Sequence, residues 1–247
     1  MAPETQRPGD AARRLLRAAD RGALATSLAG GAEAAAGGWP YASLVLLACD
    51  HDAAPLLLIS DLAEHSKNIA DDPRVGLLID GTAGRIDPLA GPRTTILGTA
   101  EKTDDARFKA RFVARHPSAA LYADFADFHL YRVAVTRAHF VAGFGRIHWI
   151  DAADFVGDTA GAPLAESEEE LIRQWNGRAE LADRMAQLAT GRRATGWRVT
   201  GLDREGIDLR RDGIVARLEF PTPADSADAA AQAVDNLLGS PKPKRRR

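Results

Sequence analysis

Two apolar runs decide the fold class: Tyr41-Ala42-Ser43-Leu44-Val45-Leu46-Leu47-Ala48-Cys49 and, after His51-Asp52-Ala53-Ala54, Pro55-Leu56-Leu57-Leu58-Ile59-Ser60. Each is strand-sized, and neither nears the roughly 18 apolar residues needed to cross a bilayer. A polar turn between adjacent apolar runs predicts a hairpin. The first run is rich enough in Leu and Val to be buried on both faces.

Working outward, Asp10 to Arg21 reads as a short amphipathic helix, with Asp10 as N-cap and Gly22 as its end. Ala23 to Leu28 is a strand, followed by a Gly/Ala loop from Gly30 to Gly38. Glu64 to Ala70 is a short helix and Val75 to Asp80 the next strand. Gly81 to Pro92 is a Gly/Pro loop before a long strand, Arg93 to Thr103. Asp104 caps a helix running to Arg115, with Phe108 and Phe112 stacked one turn apart. After His116-Pro117 come two strands, Phe128 to Thr136 and Ala138 to Phe144. Many strands, few short helices and no regular βαβ alternation predict a mainly β chain with some α, built on a closed or partly closed barrel.

The pattern changes after Asp151 to Ser167, a stretch rich in Ala, Gly and Asp that serves as domain boundary. Glu168 to Ala189 reads as one long helix, with Leu171, Trp175, Ala182, Met185 and Ala189 on one side. Strands follow at Gly196 to Leu202, Gly206 to Arg211 and Ile214 to Phe220, the last two joined at Asp212-Gly213. A helix from Asp225 to Leu238 closes a small α+β module. The expected domains are thus 10–151, a barrel, and 166–239, a small α+β domain, with 240–247 a disordered basic tail.

The chain has 247 residues, 45% hydrophobic and 27% charged, which excludes wholesale disorder. Lys and Arg number 32 against 34 Asp and Glu, a net charge of −2. Five of those cations, Lys242, Lys244, Arg245, Arg246 and Arg247, sit in the terminal stretch. Subtracting them leaves 27 cations against the 34 acids, a body of −7 that does not advertise nucleic-acid binding. Glu4, Arg7, Asp10, Arg13 and Arg14 occupy the place of a signal-peptide core, and the single Cys49 precludes an internal disulfide framework. A cytoplasmic protein without a membrane span is the expectation.

All six histidines (His51, His65, His116, His129, His139, His148) precede the second module, which therefore offers neither imidazole nor thiol and reads as non-catalytic. The chain has no Gly-x-Ser-x-Gly elbow and no Walker or Rossmann glycine pattern; Gly143-Phe144-Gly145 lacks a third glycine. Cys49, inside an apolar run, reads as an inert buried thiol. His116 before Pro117 reads as a helix-end cation. No residue set indicates a metal site. What remains is Ser60-Asp61-Leu62-Ala63-Glu64-His65-Ser66-Lys67-Asn68. Ser66 and Lys67 at a helix start present a hydroxyl, a backbone donor and a cation, which suits phosphate or carboxylate. Arg93 and Arg146 add cations, so that together these side chains could clamp the acidic groups of a flat cofactor.

Beyond these, Asp71-Asp72-Pro73-Arg74-Val75, Pro92-Arg93-Thr94-Thr95-Ile96-Leu97-Gly98, Arg115-His116-Pro117, Tyr122-Ala123-Asp124-Phe125 and Gly143-Phe144-Gly145-Arg146-Ile147 follow in order. With Tyr41 to Val45 and Ser60 to Asn68, this ordered set resembles the HugZ-like haem-utilisation branch of the pyridoxamine-phosphate-oxidase-like split β-barrels. The likeness covers residues 10 to 151 well, and the second module resembles the domain that often follows. It implies a homodimer with cofactor clefts at the subunit interface. It also implies either haem, which some relatives degrade oxidatively, or FMN in an oxidoreductase; a non-enzymatic cofactor-binding regulator is the third reading. Carried over by motif, Ser66 and Lys67 match the phosphate side, and His65, Arg93 and Arg146 line the haem-branch cleft. The chain departs from the branch in two ways. It has no histidine after His148, where haem-degrading relatives place their iron ligand, and its second module carries Gln174-Trp175-Asn176-Gly177-Arg178-Ala179 in place of a His-rich motif. An iron ligand would then be a barrel histidine, His139 first and His65 second, or water, or a weak non-His ligand.

Overall fold

A computed structural model describes residues 7–30, 37–156 and 162–239. The tail expected to be disordered, 240–247, lies outside the described residues, as do parts of the Gly30 to Gly38 loop and of the predicted domain boundary. The chain folds as two compact units, Met1–Asp158 and Thr159–Arg247. No helix among the described residues is long and apolar enough to cross a membrane.

The first unit is a split β-barrel. Its elements are α1 (Pro8–Ala18), β1 (Arg21–Ser27), β2 (Pro40–Leu46), β3 (Ala48–Cys49), β4 (Pro55–Ser60), α2 (Glu64–Asp71), β5 (Arg74–Asp80), β6 (Arg93–Lys102), α3 (Ala106–Arg115), β7 (Phe128–Val141), β8 (Ile147–Asp151) and α4 (Ala152–Val156). One antiparallel sheet runs in the order β2-β1-β5-β6-β7-β4-β3, with β8 added to β7. The run Tyr41 to Cys49 is the closure. Its first part pairs with β1 from Pro40↔Ser27 to Leu46↔Arg21, and Ala48 and Cys49 pair with β4. One run thus belongs to both edges of the sheet, and joining them leaves fewer unpaired strand edges. The predicted hairpin between the two apolar runs shrinks to two paired residues, because most of the first run is needed by β1.

Burial on both faces holds for β4, not for β2. Leu57 and Ile59 point into the barrel, while Leu56 packs outward with Phe108, Phe112 and Leu130 under α3. Leu44 on β2 is 72% exposed. The barrel interior is filled by Leu24, Leu57, Leu77, Ile79 and Ile96 among others, all inaccessible to water. Each such side chain contributes about 1.5–3 kcal/mol relative to exposure.

Several boundaries differ from those read in the sequence, each for a local reason. Helix α1 starts at Pro8, whose fixed φ suits a first turn, and Asp10 pairs with Arg13 inside the helix at 2.7 Å. Gly22 is a strand residue rather than a helix stop. Asp105, not Asp104, caps α3, accepting from the Arg107 N–H at 2.8 Å. The two strands expected after Phe128 are one 14-residue strand, β7, whose register against β6 shifts between Leu97 and Gly98. A Cβ at Gly98 would meet the Ala134 carbonyl at 2.4 Å, so only glycine permits this close approach. Gly143 and Gly145 take positive φ (130° and 73°) in the turn from β7 to β8.

The second unit comprises α5 (Ala162–Asn176), α6 (Ala179–Thr190), β9 (Arg198–Asp203), β10 (Gly206–Arg211), β11 (Ile214–Glu219) and α7 (Ala227–Gly239). The expected long helix is two, interrupted at Gly177-Arg178. Asn176, at the break, clamps β9 by accepting from the Val199 N–H at 2.8 Å and donating to its carbonyl at 2.9 Å. Polar groups of the sheet are not confined to an outer face. Arg217 is buried and donates to Asp203 at 2.7 Å and Asp208 at 2.9 Å.

Candidate functional site

The predicted cofactor residues separate into two groups, on the two sides of the barrel wall. Successive strand residues point to opposite faces. Along β6, Thr94, Ile96 and Ala100 are buried in the interior, whereas Arg93, Thr95 and Leu97 face outward. By register, Arg93 and His139 share that outer face, and Arg146 lies in the adjoining β7–β8 turn. His65, Ser66 and Lys67 instead ride on α2, which packs against β1, with Asn68 donating to the buried Thr26 hydroxyl at 2.9 Å.

On α2, the groups that suggested a phosphate cradle are drawn into local contacts. The Ser66 hydroxyl donates to the Ser60 carbonyl at 2.6 Å, and its backbone N–H to the Ala63 carbonyl at 3.0 Å. Lys67 Nζ reaches Glu64 at 3.2 Å. His65 differs. Its Nδ1 shares a 3.0 Å hydrogen bond with the Ser43 hydroxyl, and its Nε2 is buried without a partner among the described residues. Burial pushes its pKa below the ordinary imidazole value, favouring the neutral ring, the form that ligates metals.

The loop feeding α2 is tied down from β6 and β7. Ser60 donates to Asp127 at 2.6 Å, and Asp61 accepts from His129 Nε2 at 2.7 Å and from Lys102 at 3.3 Å. The His129 hydrogen bond holds the Asp61 carboxyl below its usual pKa, with Lys102 adding to the effect. His129 is thereby a structural tie.

On the outer face, a transverse row of cross-strand neighbours runs Leu44, Ala23, Leu78, Thr95, His139, Trp149. Leu44, Leu78 and Trp149 are well exposed. The His139 ring lies 4.6 Å from the Trp149 ring, and the Arg137 guanidinium 4.2 Å from it. Arg93 donates to the Leu89 carbonyl at 2.9 Å and holds the β5–β6 loop, while Arg146 donates to the Ala142 carbonyl at 2.9 Å in its own turn. His139 faces out of the barrel and has an imidazole free of hydrogen bonds among the described residues. Sequence reasoning missed Trp149 and Arg137. The signal was the alternation Arg137, His139 on β7 opposite Trp149 on β8, obscured because β7 was divided at Arg137.

His116 does stand at the end of α3, but it is buried rather than solvent-facing. It donates from Nε2 to the Leu47 carbonyl at 2.7 Å, while the Leu47 N–H donates to Asp20. Leu47 joins β2 to β3, so His116 secures the barrel closure. Cys49 is buried and unpaired by disulfide. Among the described residues no group of His, Cys, Asp and Glu could hold a metal ion by itself.

The chain is similar to several known proteins. A heme-binding protein from Mycobacterium smegmatis is 28% identical over 95% of this chain and 97% of its own, with a TM-score of 0.57. A protein of unknown function from Agrobacterium tumefaciens str. C58 is 27% identical, covering 95% of this chain and 100% of its own with a TM-score of 0.77, so both units recur there. The non-canonical heme oxygenase HOZ, chloroplastic, of Arabidopsis thaliana is 35% identical over 109 residues, 43% of this chain. The chain spans about a third of the length of that curated relative. Residues 3–157, nearly the whole first unit, match the CREG β-barrel family, and the chain belongs to that family.

Proposed function

We propose that this protein binds haem in a cleft formed where the outer sheet face of one barrel meets a second copy of the chain, and that it serves haem utilisation. The observation that carries the reading is the separation of the two residue groups. Arg93 and His139 lie on the outer face with Arg146 in the adjoining turn, and His65, Ser66 and Lys67 lie on α2, so two copies can bring together what one chain keeps apart. The exposed row from Leu44 to Leu78 supplies apolar area for that contact, since large apolar side chains standing together on a surface mark interaction sites. An obligate pairing of this kind buries upwards of about 2,000 Å².

The residues fit haem better than FMN. A flavin phosphate needs several free donors, whereas the Ser66 hydroxyl is given to the Ser60 carbonyl and Lys67 is shared with Glu64. A porphyrin needs an apolar and aromatic wall, cations for its carboxylates and a neutral imidazole. The outer row offers the wall, Arg93 and Arg146 the cations, and His139 or His65 the imidazole. Bound haem supplies a redox-active iron; the chain holds the macrocycle, orients its carboxylates and keeps the imidazole neutral. Similarity to a heme oxygenase supports oxygen-dependent breakdown as the use made of it. A lone buried thiol fits the reducing cytoplasm.

The test is an absorbance spectrum of the purified protein, followed by haemin titration and sedimentation at micromolar concentration. A Soret band that saturates at one haem per chain, in a dimer, is expected. Flavin bands, or no binding in a folded dimer, would overturn the reading. His139→Ala should then change the Soret maximum if that residue ligates iron, and His65→Ala if the ligand is on α2.

A further inference from the structure

Among the described residues, Arg137 is a half-buried cation of the barrel whose guanidinium has no hydrogen-bond or ion-pair partner. Other partly or fully buried arginines of the unit donate to named oxygens: Arg17 to the carbonyls of Asp50 and His51, Arg111 to that of Cys49, Arg115 to those of Arg17 and Ala19. Arg137 makes no hydrogen bond or ion pair among the described residues, and its Nε is buried without a partner. Asp151 stands directly opposite it in register on β8, yet the guanidinium lies over the Trp149 ring instead. A guanidinium presents five N–H donors in a planar fork, and a buried donor left unmade is costly. Stacking holds the plane of that fork while leaving its donors unused.

Trp149 is equally out of place. An indole over half exposed on a sheet surface, flanked by His139 and Arg137, gives up most of the burial that makes tryptophan favourable. The two residues sit at the basic, aromatic end of the outer row, whose other end is aliphatic. We infer that Trp149 and Arg137 form a bracket for a planar, carboxylate-bearing macrocycle, Trp149 as stacking surface and Arg137 as carboxylate receiver. The inference rests on the haem reading and deepens it by assigning recognition to two residues outside every motif noted above. Charge decides the occupant. An apolar partner surface would leave the guanidinium unsatisfied, and an acidic peptide would not use the aromatic plane.

The experiment titrates the full-length protein with haemin, with iron-free protoporphyrin IX and with its dimethyl ester, whose carboxylates are blocked. Wild type should prefer the free acid to the ester. Arg137→Ala should weaken haemin and protoporphyrin roughly tenfold to hundredfold, the effect of losing a charged hydrogen bond, and should erase the preference over the ester. Arg137→Lys should recover only part, because a point charge lacks the stacked fork. Trp149→Ala should weaken acid and ester alike, and Trp149→Phe should restore binding. These conservative variants keep the test decisive should either alanine variant fail to fold. Wild-type binding with all four variants unchanged overturns the bracket alone. No porphyrin binding by folded wild type overturns the haem reading and the bracket with it.

Discussion

Arg217 in the second unit and Arg137 on the barrel are both arginines on strands, and they are treated in opposite ways. Arg217 is buried between Asp203 and Asp208, whose two carboxylates hold its guanidinium charged, raising its pKa despite the burial that opposes it. Arg137 has an aspartate opposite and does not use it. A buried cation paired with two carboxylates describes architecture, because removing one member strands the others in low dielectric. A cation held by an aromatic ring, with donors to spare, describes a site. The distinction lies in the partners, since the residue type is the same.

The largest effect should come from Arg217→Met, which leaves two buried carboxylates without their cation. Urea unfolding followed through Trp175 and Trp197 is expected to show a loss of about 3–5 kcal/mol. Adding Asp203→Asn and Asp208→Asn should recover most of it. Arg137→Met should cost below about 1 kcal/mol of stability, the scale of an exposed cation–π contact. Equal losses at the two arginines would break the comparison.

Next in size is Leu78→Asp on the exposed row. Two-fold pairing places the new charge in the interface twice, so association should weaken by about 3 kcal/mol, read as dimer dissociation in sedimentation. A dimer unaffected by this change uses another surface.

Arg93→Ala should weaken haemin binding by about 1.5–3 kcal/mol, by loss of a charged donor and release of the loop it clamps. Lys67→Ala should weaken it by less than about 1 kcal/mol, because Lys67 is exposed and paired with Glu64. Equal effects in parallel titrations would mean that α2 rearranges on binding.

The smallest effect is a pH dependence. Burial lowers the folded-state pKa of His65, so the unfolded chain takes up the proton first as pH falls. Stability from the neutral ring is fully present above about pH 6.5 and is lost as pH falls from there through the lowered folded value. His65→Gln should flatten the stability profile across that window in denaturant melts at a series of pH values. An unchanged profile would assign the acid sensitivity elsewhere.

The strands of the barrel could be read from apolar runs and turn residues, because hydrophobic patterning acts locally. Their pairing could not. The stretch Tyr41 to Cys49 shows no sign that its two parts serve opposite sheet edges, since that depends on which partners remain once β1 and β4 are placed. Nor does the alternation around Arg137 announce a bulge, which follows from Gly98 approaching the Ala134 carbonyl. His116 shows the same limit. A histidine before proline looks like a surface cap until Leu47 is brought to it.

Composition and pattern by themselves determined a barrel followed by an α+β module, an acidic body, histidines confined to the first unit and a motif on α2. Those properties are set by residue type and short-range spacing, where burial preference and turn chemistry dominate. The tertiary structure decided which side chains share a face. It put His65 and His139 on different sides of one wall, paired Arg217 with two carboxylates and left Arg137 without one. Such matters depend on strand register and on which polar groups find partners across long sequence separations, and a shift of one residue in register reverses the face of every side chain.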